Sequence, residues 1–246
     1  MKWQTFRPSF LWTSHLYLYL VGEIALTLLV SIALQNPILL YALDAVFFFP
    51  VFAAHIYRQD IARLFRVASF WGIVKSVVFI GALLLSGNTF APLVDQGRAY
   101  HTDTLNWILH NEGAIAHPEQ FLPLHAIGVW RVVFSAMGSC GLTTLIGGSR
   151  ELNIMNYHVA QLLQMSRHPW QTLLFAWPIW SLLRGWAYLA LMVAAAEVFF
   201  VILRQHPWRW TAIRPYLLWG LLGCAVDAGL KVWLAPLWRV LLSQSL

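Results

Sequence analysis

At 246 residues, 59% of them hydrophobic and only 11% charged, the chain falls far short of the roughly 25% charge of a soluble domain, which excludes a water-soluble globular protein. Its formal net charge of +6 comes from basic residues scattered between apolar runs, not clustered on one face, which excludes a nucleic-acid surface. Apolar runs long enough to cross about 30 Å of hydrocarbon recur along the chain, so the sequence predicts an all-α, polytopic membrane helix bundle forming a single membrane domain over 1–246.

The predicted spans, in chain order, are Ser14–Leu34, Pro37–Tyr57, Val67–Ser86, Leu124–Gly147, Thr172–Leu203 and Pro215–Leu242. The first is read as a retained span and not a cleaved signal, because it is too long for a signal core and carries Glu23 at its middle. Gln35-Asn36-Pro37 makes a tight break, so the first two spans form an antiparallel hairpin. Lys2, Arg7, Arg58, Arg63 and Arg66 put the N terminus and the second loop in the cytoplasm of an inner membrane.

Segment 87–123 then lies outside, where Asp95, Asp103, Glu112 and Glu119 face a lone Arg98. It is expected to hold a short surface helix from Asp103, as N-cap, to Glu112, stopped by Gly113. Leu105, Ile108 and Leu109 would rest on the bilayer. Arg150 and Arg167 return the chain to the cytoplasm, and a six-span count brings the C terminus there too. Segment 204–214 resists that count, since Arg204, Arg209 and Arg214 make it basic while the count puts it outside. A seventh crossing, with 172–203 folded as a short hairpin, is the open alternative. Fourteen tryptophans fit an interfacial belt. Gly220, Cys224 and Ala228 give the last span a small-residue packing face, and Gly138, Ser139, Cys140 and Gly141 thin the fourth.

Ionisable residues inside apolar runs carry the functional reading, because each costs about 2.5–3.5 kcal/mol at the centre of a span. They are Glu23, Asp44, Lys75, Arg131, Arg184, Glu197, Asp227 and Lys231. Glu23, Asp44, Lys75, Asp227 and Lys231 are expected to meet in one polar layer, either as a pathway for an ion, proton or substrate or as paired charges that fix the bundle. Asp227 and Lys231, four apart, are placed to pair on one helix.

Cofactor readings stand beside this one. His15 and His55 lie at similar depths in the first hairpin, as bis-imidazole ligation of haem b in an electron-transfer subunit requires. His101, His110, His117 and His125, together with nearby carboxylates, are candidate metal ligands. Their spacing lacks the short repeats that build a site locally. Neither cysteine belongs to a paired-ligand spacing. "GSCG" at 138–141 fails as a serine-protease turn, because the last span has no histidine.

Arg167-His168-Pro169, with the long apolar stretch from there to Arg204, resembles the isoprenylcysteine carboxyl and phospholipid methyltransferase type. That resemblance implies an S-adenosylmethionine-dependent membrane enzyme in which Arg167 and His168 open a hairpin at the cofactor site. The family closes its hairpin on paired glutamates, where this chain has Arg204-Gln205-His206. The leading expectation is a small transporter or permease, or the membrane subunit of a larger assembly, with the lipid bilayer and other membrane subunits as partners. The rival readings are the methyltransferase and the haem carrier.

Overall fold

The structure, a computed structural model, describes residues 15–86 and 90–246, so Lys2, Arg7 and Ser14 fall outside the described residues. It is all-helical. α1 (His15–Leu34), α2 (Pro37–Tyr57) and α3 (Ile61–Ser86) are succeeded by α4 (Gly97–His110), α5 (Pro118–Ser139) and α6 (Leu142–Met165). A short α7 (Pro169–Phe175) leads into α8 (Ile179–Ile202) and the long α9 (Trp210–Ser245). Six of these, α1, α2, α3, α5, α8 and α9, are long and apolar enough to cross a membrane. The surface is apolar in keeping, with Leu18, Ile73, Val77, Trp219 and Trp233 exposed while Glu23, Asp44 and Lys75 are buried. Such an inversion suits lipid as solvent and not water.

Helix starts and stops reflect local chemistry. Asn36 caps α2 through its side chain, which accepts from the Ile38 N–H at 2.9 Å, and Pro37 occupies the first helical position. α8 and α9 meet through small residues. A Cβ added at Gly220 would lie 2.5 Å from Leu191 Cγ and 3.0 Å from the Ala187 carbonyl oxygen, and one at Gly223 would lie 2.8 Å from Ala187 Cβ. Bare backbone is what lets these two helices approach.

The fourth element departs from expectation. The apolar run Leu124–Gly147 is not one helix. It is cut at Cys140 (φ 54°) and Gly141 (φ 91°), two successive left-handed residues that reverse the chain. The small residues there make a turn as well as thinning a span. Beyond the turn runs α6, whose 24 residues give about 36 Å of helix. Its buried face mixes Ile154, Tyr157 and Leu162 with Ser149, Asn153, Asn156 and His158, and it packs against α2, α3, α4 and α5. Too polar to read as a span, α6 nevertheless extends from one end of the bundle to the other.

Contacts fix the two ends. At one, Tyr17 at the start of α1 meets Phe70 near the start of α3. There Tyr57 also meets Phe200 and His206, and Gln59 bonds both Glu197 and Arg209. At the other end, Trp107 and Ile108 of α4 share a core with Leu162, Ala176 and Leu242, and the Ser245 carbonyl accepts from the Arg167 and His168 N–H groups at 3.1 and 3.2 Å.

Three expectations are corrected by this arrangement. The 204–214 loop lies at the same end as 58–60. Arg150 and Arg167 do not join that end: Arg150 Nη2 binds Asp95 at 2.8 Å beside α4, and Arg167 lies against the C-terminal end of α9. The last described residues therefore sit opposite the start of α1. The cause is the extra passage made by α6. It does not come from a hairpin within 172–203, where the chain forms the seven-residue α7 and then a single helix, α8.

The helix expected over 103–112 begins earlier, at Gly97, and is stopped by Asn111 in the left-handed region at φ 60°. It is docked against the bundle, with Trp107 and Ile108 buried against α6 and α9, not laid on a bilayer surface.

Candidate functional site

The buried polar residues form two clusters where one layer was expected. The first lies among α1, α2, α3 and α6. Lys75 Nζ is 2.5 Å from Asp44 Oδ2, their side chains 2% and 3% exposed. Ser149 sits between them in function: its hydroxyl accepts from Lys75 and donates to Asp44 Oδ2 at 3.1 Å. The Lys75 ammonium also faces the Trp71 ring, 5.1 Å from its centroid. Trp71 donates its indole N–H to Glu23 Oε1 at 2.5 Å and stacks on Phe48 with centroids 4.7 Å apart. Glu23, Trp71, Lys75, Ser149 and Asp44 thus form a continuous chain of polar contacts across four helices.

What surrounds that chain matters as much. Glu23 Oε2, Thr27 Oγ1 and Ser31 Oγ are buried without a hydrogen-bond partner in the protein. At i, i+4 and i+8 they lie along one face of α1. On α6 the side-chain amides of Asn153 and Asn156 are likewise buried with no partner, one and two turns beyond Ser149 on the same face. Thr27 shares a crevice with Asp44 and Lys75. Each unpaired buried polar group costs about 1–3 kcal/mol. That crevice holds about 10 Å³, space for about one water.

The second cluster joins α5, α8 and α9. Arg184 binds Asp227 through two bonds, Nε to Oδ2 at 2.8 Å and Nη2 to Oδ1 at 3.1 Å, the bidentate geometry that guanidinium favours. His125 Nε2 lies 3.4 Å from the same carboxylate and 3.1 Å from the Cys224 carbonyl oxygen. Lys231 is not the partner of Asp227; its ammonium sits 3.9 Å from the centre of the Phe121 ring. Arg184, bound to the buried carboxylate, therefore replaces the pairing expected within one helix. Glu197, also buried, bonds His206 Nδ1 at 2.8 Å at the end that carries the 204–214 loop.

The histidines disperse. His101 Nδ1 lies 3.0 Å from Nδ1 of His158 on α6, so one ring nitrogen carries the proton and the other accepts it. Burial pushes the His101 pKa below the usual imidazole range, which favours that neutral pair. His117 lies 3.4 Å from Glu119 on the surface, His110 is exposed, and His125 belongs to the Asp227 cluster. Among the described residues no three metal-ligating side chains converge. His15 opens α1 on an exposed face, while His55 is buried in α2 and donates from Nδ1 to the Val51 carbonyl at 2.7 Å. Arg167 and His168 open α7 beside the end of α9, at the far end of α8 from Arg204.

Ser149, Asn153 and Asn156 escape a search for ionisable residues, although their spacing of four and three residues is a helical stripe. That stripe is the signal the sequence carries for them. Bundle and buried charges together define an all-α membrane architecture with a polar interior. No family model, curated protein or solved structure matches the chain.

Proposed function

We propose that this chain is a small membrane transporter or permease whose pathway conducts protons along the face shared by α1, α2, α3 and α6. The observation that carries the proposal is the run of buried, partnerless polar atoms on α1 and α6 beside the Asp44–Lys75–Ser149 group. Hydrocarbon offers nothing to satisfy such atoms, so polar chains at this depth mark routes for protons and ions. Glu23 supplies a carboxylate with one oxygen held by Trp71 and the other open to a proton. Ser149, accepting from Lys75 and donating to Asp44, supplies a hydroxyl that relays without charge separation.

Orientation comes from the shared placement of basic residues. Arg58, Arg63, Arg204 and Arg209 gather near the end where Gln59 bonds Glu197 and Arg209. We assign that end to the cytoplasm of an inner membrane on the charge bias of membrane loops.

The test is proton flux into vesicles containing the purified protein and a trapped pH-sensitive dye, driven by a potassium diffusion potential. Wild type should acidify the lumen at least tenfold faster than protein-free vesicles, and Glu23→Gln should abolish most of the difference. Wild-type vesicles no leakier than empty ones, or a Glu23→Gln variant as fast as wild type, would reject the proposal.

A further inference from the structure

A second polar region lies outside the proposed pathway, a partly open pocket lined by α4, α6, α8 and α9 at the end opposite the 204–214 loop. It is a cavity of about 50 Å³ lined in part by Tyr100, Thr104, His158, Ser181, Arg184 and Lys231. One water needs about 10–15 Å³ by this measure, so the space takes roughly three to five water-sized bodies. Two cations line it. Arg184 is neutralised by the fully buried Asp227, which it holds through two hydrogen bonds.

Lys231 has no such partner. Among the described residues it makes no ion pair with a carboxylate, and Asp227, one turn before it, is already engaged. The Phe121 face at 3.9 Å is the contact it does make. Lys231 is half-buried, and for its shielded part an aromatic face returns only part of the stabilisation that water gives an ammonium. Thr104, 6% exposed, adds a buried hydroxyl beside that of Tyr100. Trp107 and Trp180 line the pocket with apolar surface, which strengthens an ionic contact made against them.

We infer that this cavity binds a small oxyanion group, a carboxylate or a phosphate, with Lys231 as its counter-ion and Thr104 and Ser181 as hydrogen-bond donors. The excess positive charge sets the sign of the ligand, and the volume limits the buried part to the head of the molecule. That head can belong to a free solute or to an anionic lipid entering beside α4. The inference rests on this cavity alone and not on the proton pathway.

Thermal unfolding of the full chain in dodecyl maltoside tests it, at constant ionic strength, with three probes: sodium phosphate, sodium acetate and a short-chain phosphatidic acid. A probe present at a hundredfold excess over its Kd should raise Tm by roughly 5–11 °C for a chain of this size. Lys231→Gln should abolish the rise, and Lys231→Arg should keep it. A rise with phosphate or acetate identifies a soluble ligand, and a rise confined to the phosphatidic acid identifies a lipid headgroup. Thr104→Val, which keeps the shape of the side chain, should weaken the response at least threefold in apparent affinity, and it carries the test if Lys231→Gln does not fold. No rise with any probe would overturn the inference. So would an undiminished response in Lys231→Gln or, where that variant does not fold, in Thr104→Val.

Discussion

Removing the carboxylate of Asp44 leaves the Lys75 ammonium buried at 2% exposure, with a serine hydroxyl, a backbone carbonyl and an aromatic ring as its remaining contacts. Breaking one side of a buried ion pair costs about 3–5 kcal/mol, because the partner keeps its desolvation penalty and loses its counter-charge. For a chain of this length each kcal/mol shifts Tm by roughly 2–4 °C. Asp44→Leu and Lys75→Met should therefore each lower Tm by roughly 6–20 °C in detergent. The double variant removes both charges and should recover most of the loss. Ser149 alone is then left with a hydroxyl that has lost both partners. Thermal unfolding of the wild type, the two single variants and the double closes the cycle. Two additive losses would refute the reasoning, since they would mean that the charges do not depend on each other. The double variant separates stability from function as well: it should be folded yet conduct no protons.

At Gly141 a substitution meets two obstacles, the left-handed φ of 91° and a Phe52 ring atom 2.7 Å from the position of a new Cβ. Gly141→Val should cost at least about 2 kcal/mol, on the order of a strained backbone plus overpacking, while Gly147→Val, which meets nothing within 4 Å, should cost much less; equal melting points would contradict the turn. Topology is checked by labelling single cysteines in a Cys140→Ala/Cys224→Ala background with a membrane-impermeant maleimide. Gln205→Cys and Gln244→Cys should label from opposite sides, because α9 runs from one end of the bundle to the other; labelling from a single side would refute the end-to-end course of α9.

Apolar length was enough to locate α1 and α2, bounded by Asn36-Pro37 and Arg58, and the bodies of α8 and α9 on either side of the 204–209 loop, although the break at Pro178 between α7 and α8 was not read from it. It failed at α6, where Ser149, Arg150, Asn153 and Asn156 lower the hydropathy below that of a span although the helix is buried. Each of these residues has a local answer that hydropathy cannot see: Ser149 lies in the Asp44–Lys75 pair, Arg150 reaches Asp95, and the asparagines face the interior. Of the eight charged residues, Glu23, Asp44, Lys75, Glu197 and Asp227 are buried as expected, whereas Arg184 and Lys231 are half-buried and Arg131 is exposed; the partners of the buried ones were not legible. Asp227 pairs with Arg184 on another helix and not with Lys231 one turn away, because the approach of α8 and α9 at Gly220 and Gly223 brings a planar fork within reach. Side-chain direction across an interface is a property of packing, and spacing along one chain does not contain it.

The polar character of α6 also constrains how the protein is made. Inserted as an isolated helix, α6 would pay for Arg150 alone about 2.5–3.5 kcal/mol near the centre of the bilayer, with its asparagines adding to the cost. It cannot partition into lipid by its own apolarity, as α2 or α8 can. Its entry must be coupled to neighbours already in place: α2 and α3 offer Asp44 and Lys75, and the segment before α4 offers Asp95. All three are synthesised before α6. The order of elements along the chain thus makes a polar cradle available before α6 emerges, and α6 is expected to enter after it.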